Sequence, residues 1–227
     1  KEPTDVIAVV QISAAMEPAI KNVRTGIEKL AKQLAKVPES RLAIISYGTE
    51  VKRLEEYGRP NEIARDLDKL VIDAEASEVK MVEALRVAID LARERQDRRR
   101  IIVLFSDGID ISPSKDVFTD VGKRAQQAGV IIDTVGYAPF EAGRLRSLIE
   151  ISRLSAGTSR GVKSVNEIVE RYMQIADELG AVNAVSFGLT TSGDNAQHEL
   201  QVAYRQGKDD LVSEKIAVTL PPFEPAD

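Results

Sequence analysis

Three side chains able to ligate a cation or react stand at the ends of apolar runs: Ser13, Ser106 and Asp107. Residues 6–10 are all Val, Ile or Ala, and Gln11, Ile12, Ser13, Ala14, Ala15 and Met16 follow directly. Residues 101–105 are equally apolar and run into Ser106, Asp107 and Gly108, with Asp110 just beyond. Hydroxyls and a carboxylate brought together from two strand ends could hold a hard cation, which takes oxygen ligands from several loops. The same residues have structural uses, and these are the ones we expect. Asp before Gly shapes a turn and accepts backbone N–H groups. Ser after a strand caps the helix that follows. A buried amide at position 11 bridges strand ends through hydrogen bonds.

Other chemistries find little support. His198 is the only histidine, far in sequence from Ser13 and Ser106, and reads as a surface residue rather than the base of a Ser-His-Asp triad. No Gly-x-Ser-x-Gly elbow is present. The absence of Cys excludes disulfides, thiolate metal sites and a thiol nucleophile. The turn after the first apolar run contains no Gly, so it is neither a dinucleotide fingerprint nor a phosphate loop. No catalytic residue is therefore assigned, and the chain is not expected to be an enzyme. The run Arg93-Glu-Arg-Gln-Asp-Arg-Arg-Arg100 reads as a helix C-terminus that complements its dipole, then a solvated loop.

Apolar and amphipathic segments alternate for about 180 residues. Strands are expected at residues 6–10, 41–47, 101–105 and 130–135, with 51–54 returning as a short antiparallel edge. Helices are expected at 17–36, 61–70, 79–96, 114–128, 142–155 and 164–179, with Gly129 and Gly180 as C-terminal caps. This pattern predicts an α/β fold: a doubly wound, mainly parallel sheet with helices on both faces. Binding sites in such sheets lie beyond the C-terminal strand ends, which gathers residues 11–16, 73–79, 106–112 and 137–140 on one rim. After Gly180 the pattern changes to period two over 184–190, 197–205 and 212–220. Residues 181–223 thus read as a small three-stranded antiparallel meander, packed on the first domain or part of a larger β-sandwich, before a tail at 224–227.

The two strand ends resemble those of the von Willebrand factor type A domain. In that family the first strand ends in Asp-x-Ser-x-Ser, a Thr precedes the central helix, and the fourth strand ends in an Asp-Gly turn. Together these hold a divalent metal. The segment Leu104-Phe-Ser-Asp-Gly108 carries the resemblance most clearly, and Ala125-Gln-Gln-Ala-Gly-Val-Ile-Ile-Asp-Thr-Val-Gly136 is similar to the family's helix–Gly–strand unit. The match runs over roughly residues 5–180 and departs at the metal positions. Gln11 stands for the first Asp, Ala15 for the second Ser and Val79 for the Thr, leaving Ser13 and Asp107. A displaced site built from Glu75, Asp107 and Asp110 has no spacing signature behind it.

The resemblance implies a noncatalytic adhesion or protein-interaction module that has lost its metal. Its partner-binding rim would comprise Gln11, Ser13, Ala15, Met16, Val79, Ser106, Asp107, Asp110 and Tyr137. No cofactor is expected. The alternatives are a domain still dependent on Mg2+ or Mn2+ through Ser13 and Asp107, and a structural subunit that docks in an envelope or secretion assembly through its C-terminal strands. The expected partner is a protein. A net charge of −5 argues against nucleic acid. No apolar run reaches the roughly 20 residues of a membrane helix. The chain starts abruptly before its first strand, as a processed or trimmed form would. With the family's habits, that start favours an extracytoplasmic location.

Overall fold

Continuous apolar strands form a sheet buried on both faces, and the amphipathic segments between them become its helical layers. The computed structural model describes residues 2–76, 78–111, 116–181, 197–201, 203–206, 209–212 and 215–219. Two compact units are present, Lys1–Val182 and Asn183–Asp227.

In the first unit six strands run β1 (Thr4–Gln11), β2 (Arg41–Tyr47), β3 (Val51–Gly58), β4 (Arg99–Ser106), β5 (Val130–Tyr137) and β6 (Ser159–Val162). Their spatial order is β3-β2-β1-β4-β5-β6, and all neighbours are parallel except β2 with β3. Every residue of β1 is buried, as its central place demands. Alternation along each strand feeds two cores. Val6, Ala8 and Val10 face one side, against α1 (Ile20–Leu34) and α6 (Val165–Ala181). Ile7 and Val9 face the other, against α3 (Met81–Arg93), α4 (Asp116–Gln127) and α5 (Arg146–Leu154). The expected doubly wound sheet is thus present.

Several local expectations are corrected. The edge strand is longer than predicted, spanning Val51–Gly58. The helix expected at 61–70 divides into α2 (Pro60–Ile63) and a 3-10 segment, Ala64–Lys69. The short strand Ser159–Val162 was not foreseen, because its residues Ser-Arg-Gly-Val lack an apolar run. Gly129 does take the left-handed cap conformation at φ 64°, whereas Gly180 lies inside α6.

The basic run is less solvated than expected. Asp5 is fully buried at the N-terminal end of β1 and pairs with Arg95 and, at 3.6 Å, with Arg98. The Arg95 guanidinium also sits 5.4 Å from the Tyr57 ring centre, within cation–π range. A buried carboxylate needs such partners.

In the second unit β7 (Gln197–Leu200) pairs antiparallel with β10 (Ile216–Thr219), and β8 (Ala203–Gln206) with β9 (Asp209–Val212). The strand expected at 197–205 divides into β7 and β8, and the one expected at 212–220 is represented by β10, with β9 lying almost wholly before it. The first, at 184–190, lies outside the described residues.

Candidate functional site

The ends of β1 and β4 lie side by side, one step past the paired residues Val10 and Phe105. Gln11 therefore projects toward Ser106. Its Oε1 accepts from the Ser106 hydroxyl at 2.9 Å and from the Asp107 N–H at 3.0 Å. Its Nε2 donates to Ser13 Oγ at 2.9 Å. The backbone donor at Asp107 fixes the amide's orientation, because a flipped amide would set N–H against N–H. Ser106 Oγ also accepts from Gly108 N at 3.0 Å and sits 3.3 Å from Met81 Sδ. Gln11 and Ser106 are fully buried.

Asp107 continues the turn: its Oδ1 accepts from Ile109 N at 3.0 Å. Gly108 makes the turn feasible. It adopts φ 83°, and a Cβ there would lie 2.2 Å from the Arg144 carbonyl oxygen. Ser13 differs from expectation. It stands at the N-cap of the 3-10 turn Ala14–Met16 but caps no N–H with its hydroxyl, which accepts from Gln11 instead. Asp110 does what Ser13 was expected to do, on another helix. Its Oδ2 accepts from Val82 N at 2.8 Å in the first turn of α3.

Tyr47 closes the network from β2, its hydroxyl donating to the Phe105 carbonyl at 3.3 Å. Burial pushes its phenol well above the ordinary range, with Ser106 opposing and Asp107 adding to the rise. The group is a neutral donor at all relevant pH values. Sequence reasoning missed Tyr47 and Met81, since each reads only as an apolar core position.

The expected rim residues separate into two layers. Gln11, Ser13, Ser106 and Val79 are buried and support the surface from below, and Met16 and Asp107 are also buried. Val79 packs into the core with Tyr47, and its carbonyl accepts from Ile111 N at 3.0 Å. Ala15, Met16, Asp107 and Tyr137 instead line a cavity of about 330 Å³ together with Pro18 and Pro139. Glu141 and Arg144, paired at 2.6 Å, stand at the same cavity. Phe140 beside it is fully exposed. Among the described residues no group of three or more His, Asp or Glu side chains converges as metal ligands would. The set present does not fit a magnesium shell. Ala15 and Val79 bring no side-chain oxygen, and an amide N–H, not a carboxylate, is aimed at Ser13 Oγ.

A sheet of this order with helices on both faces defines a doubly wound α/β domain with its site at the strand ends. The sequence matches the von Willebrand factor type A domain family over residues 5–171, and the chain belongs to that family. Solved structures share the fold at low identity. The pilus adhesin SpaC from Lactobacillus rhamnosus GG superposes with a TM-score of 0.67 at 11% identity, covering 79% of this chain and 30% of that one. The vWF domain of the type V pili tip protein Mfa5 from Porphyromonas gingivalis gives 0.63 at 12%, covering 82% and 98%. A von Willebrand factor type A protein from Catenulispora acidiphila gives 0.66 at 12%, covering 91% and 47%. The chain thus spans less than a third of the pilus adhesin it resembles. Comparison with curated proteins gives no match.

Proposed function

We propose that this chain is a noncatalytic protein-interaction or adhesion module whose rim works without a divalent metal. The observation that carries this reading is where the exposed apolar side chains fall. Of the six large apolar side chains exposed among the described residues, Ile109, Ile111 and Phe140 lie on the loops after β4 and β5, at the strand ends that carry the Gln11 network, while Val71, Ile149 and Met173 are scattered elsewhere. Apolar groups gathered on one rim favour a protein partner. Beneath them Gln11 satisfies the donors and the acceptor that a metal site would otherwise organise.

Adhesive function and an extracytoplasmic location are part of the same proposal. They draw support from the pilus adhesin and the pili tip protein that share the fold. The C-terminal strands offer a second reading. Their two antiparallel ladders are too small to hold a core alone, which suits docking into a larger β assembly.

Photo-crosslinking from position 140 tests the rim directly, with position 149 on the exposed face of α5 as control. A specific protein adduct from 140 that persists in chelator is expected. Equal labelling from both positions, or an adduct lost with chelator, would contradict the reading.

A further inference from the structure

The cavity at Asp107 combines a mainly apolar lining with a carboxylate. Ala15, Met16, Pro18, Tyr137 and Pro139 make it largely apolar. Asp107 contributes a carboxylate that is 5% exposed. Its Oδ1 is engaged by Ile109 N, and among the described residues Oδ2 accepts no hydrogen bond and no cation pairs with either oxygen. The other charges at the cavity, Glu141 and Arg144, are paired with each other. The lining therefore carries two carboxylates against one guanidinium, an excess of one negative charge.

We infer that this cavity receives a lysine or arginine side chain of the partner protein. This deepens the interaction-module reading and rests on it. An aliphatic stem suits the apolar walls, and a terminal cation suits a nearly buried carboxylate that lacks a positive partner. A cavity of about 330 Å³ has room for one such side chain. An acidic side chain would meet repulsion from Asp107, and the one guanidinium at the cavity, Arg144, is already paired with Glu141. Phe140, fully exposed in the lining, gives the partner's neighbouring apolar residue a place to land. The site thus selects the opposite charge from one built around a metal ion.

The test is an NMR titration of the whole chain with Nα-acetyl-lysine N-methylamide, following the amides of Gly108, Tyr137 and Phe140. The norleucine and glutamate counterparts are run in parallel. Saturable shifts are expected for the lysine compound only, weakened roughly tenfold or more in Asp107→Asn, as loss of a charge-assisted bond implies. Ala15→Phe, which fills the cavity and leaves Asp107 in place, should also abolish the shifts. It serves as the second variant should Asp107→Asn fail to fold. No shift, or equal shifts with norleucine or glutamate, overturns the assignment. If position 140 still crosslinks a protein in chelator, the interaction-module reading survives that failure. If neither occurs, both fall.

Discussion

Gln11 presents one acceptor to two donors and one donor to one acceptor, all within a buried site. Leucine at this position keeps the volume and removes every bond. The Ser106 hydroxyl, the Asp107 N–H and the Ser13 hydroxyl would then lose partners in a dry environment. Unsatisfied buried groups cost about 1–3 kcal/mol each, partly relieved by relaxation, so Gln11→Leu should lose roughly 2–4 kcal/mol of unfolding free energy in urea. A loss below about 0.5 kcal/mol would show that the network is incidental. Asp133 offers a pH test. It is buried on β5, accepts from Thr158 N at 2.8 Å, and has Arg160 at 3.6 Å. Burial raises its carboxyl, with the Thr158 N–H and the Arg160 charge opposing. The folded state therefore binds its proton more tightly than the unfolded chain. Stability contributed by this group is present below the unfolded value of about 4 and falls as pH rises through the folded value. Relative to wild type, Asp133→Asn should gain stability as pH rises across that window in paired urea titrations. A difference that is flat or shrinks with pH would contradict this. At this scale the sequence was legible where residue type dictates geometry: Asp107 before Gly108 makes its turn as expected. It was illegible where partners come from afar. Asp110 reaches α3 across 28 residues, so Ser13 was credited with a capping role it does not have.

Elements follow from periodicity wherever the period is strong. β1, β2 and β4 each hold a continuous apolar run, β5 begins with one at Val130–Ile132, and α1 shows Val23, Ile27, Leu30 and Leu34 on one buried face. The weak signals were the short ones. β6 has one buried residue, Val162, and is held by pairing with β5 rather than by its own composition. Pairing between helices depends on a feature that periodicity does not report. Gly26 of α1 faces the Tyr172 ring of α6, and a Cβ there would lie 2.5 Å from ring carbon Cδ2. Tyr172 is fully buried, so its ring cannot swing out to solvent. Gly26→Ala gains up to about 1 kcal/mol of helix propensity and loses about 1–3 kcal/mol to overpacking. Net destabilisation of roughly 1–2 kcal/mol is expected in urea, and a stabilised variant would show that α1 and α6 can separate freely.

For the whole molecule, both apolar cores, among the described residues, are built from residues between Val6 and Leu179. The family match ends at residue 171, also inside the first unit. A chain ending at residue 182 should keep a cooperative thermal transition within a few degrees of the full chain, since a shift of about 1 kcal/mol moves the midpoint of a domain this size by roughly 2–4 °C. Loss of the transition would mean that the C-terminal strands complete the core. The doubly wound architecture was legible because it repeats one signal many times. The rim that holds the cavity was legible from the strand-end rule, which gathers Ala15, Met16, Asp107 and Tyr137, but the cavity itself was not, because its shape depends on how side chains from separate segments pack.

The central claim is that an amide network stands where the family places a metal. Calorimetric titration of Mg2+ and Mn2+ into chelator-treated protein tests it most directly, with Gln11→Asp/Ala15→Ser/Val79→Thr as the reconstituted control. No saturable heat is predicted for the natural chain, and binding is predicted for the triple variant. Saturable binding by the natural chain that disappears in Asp107→Asn would contradict the account and return the site to the metal-dependent class.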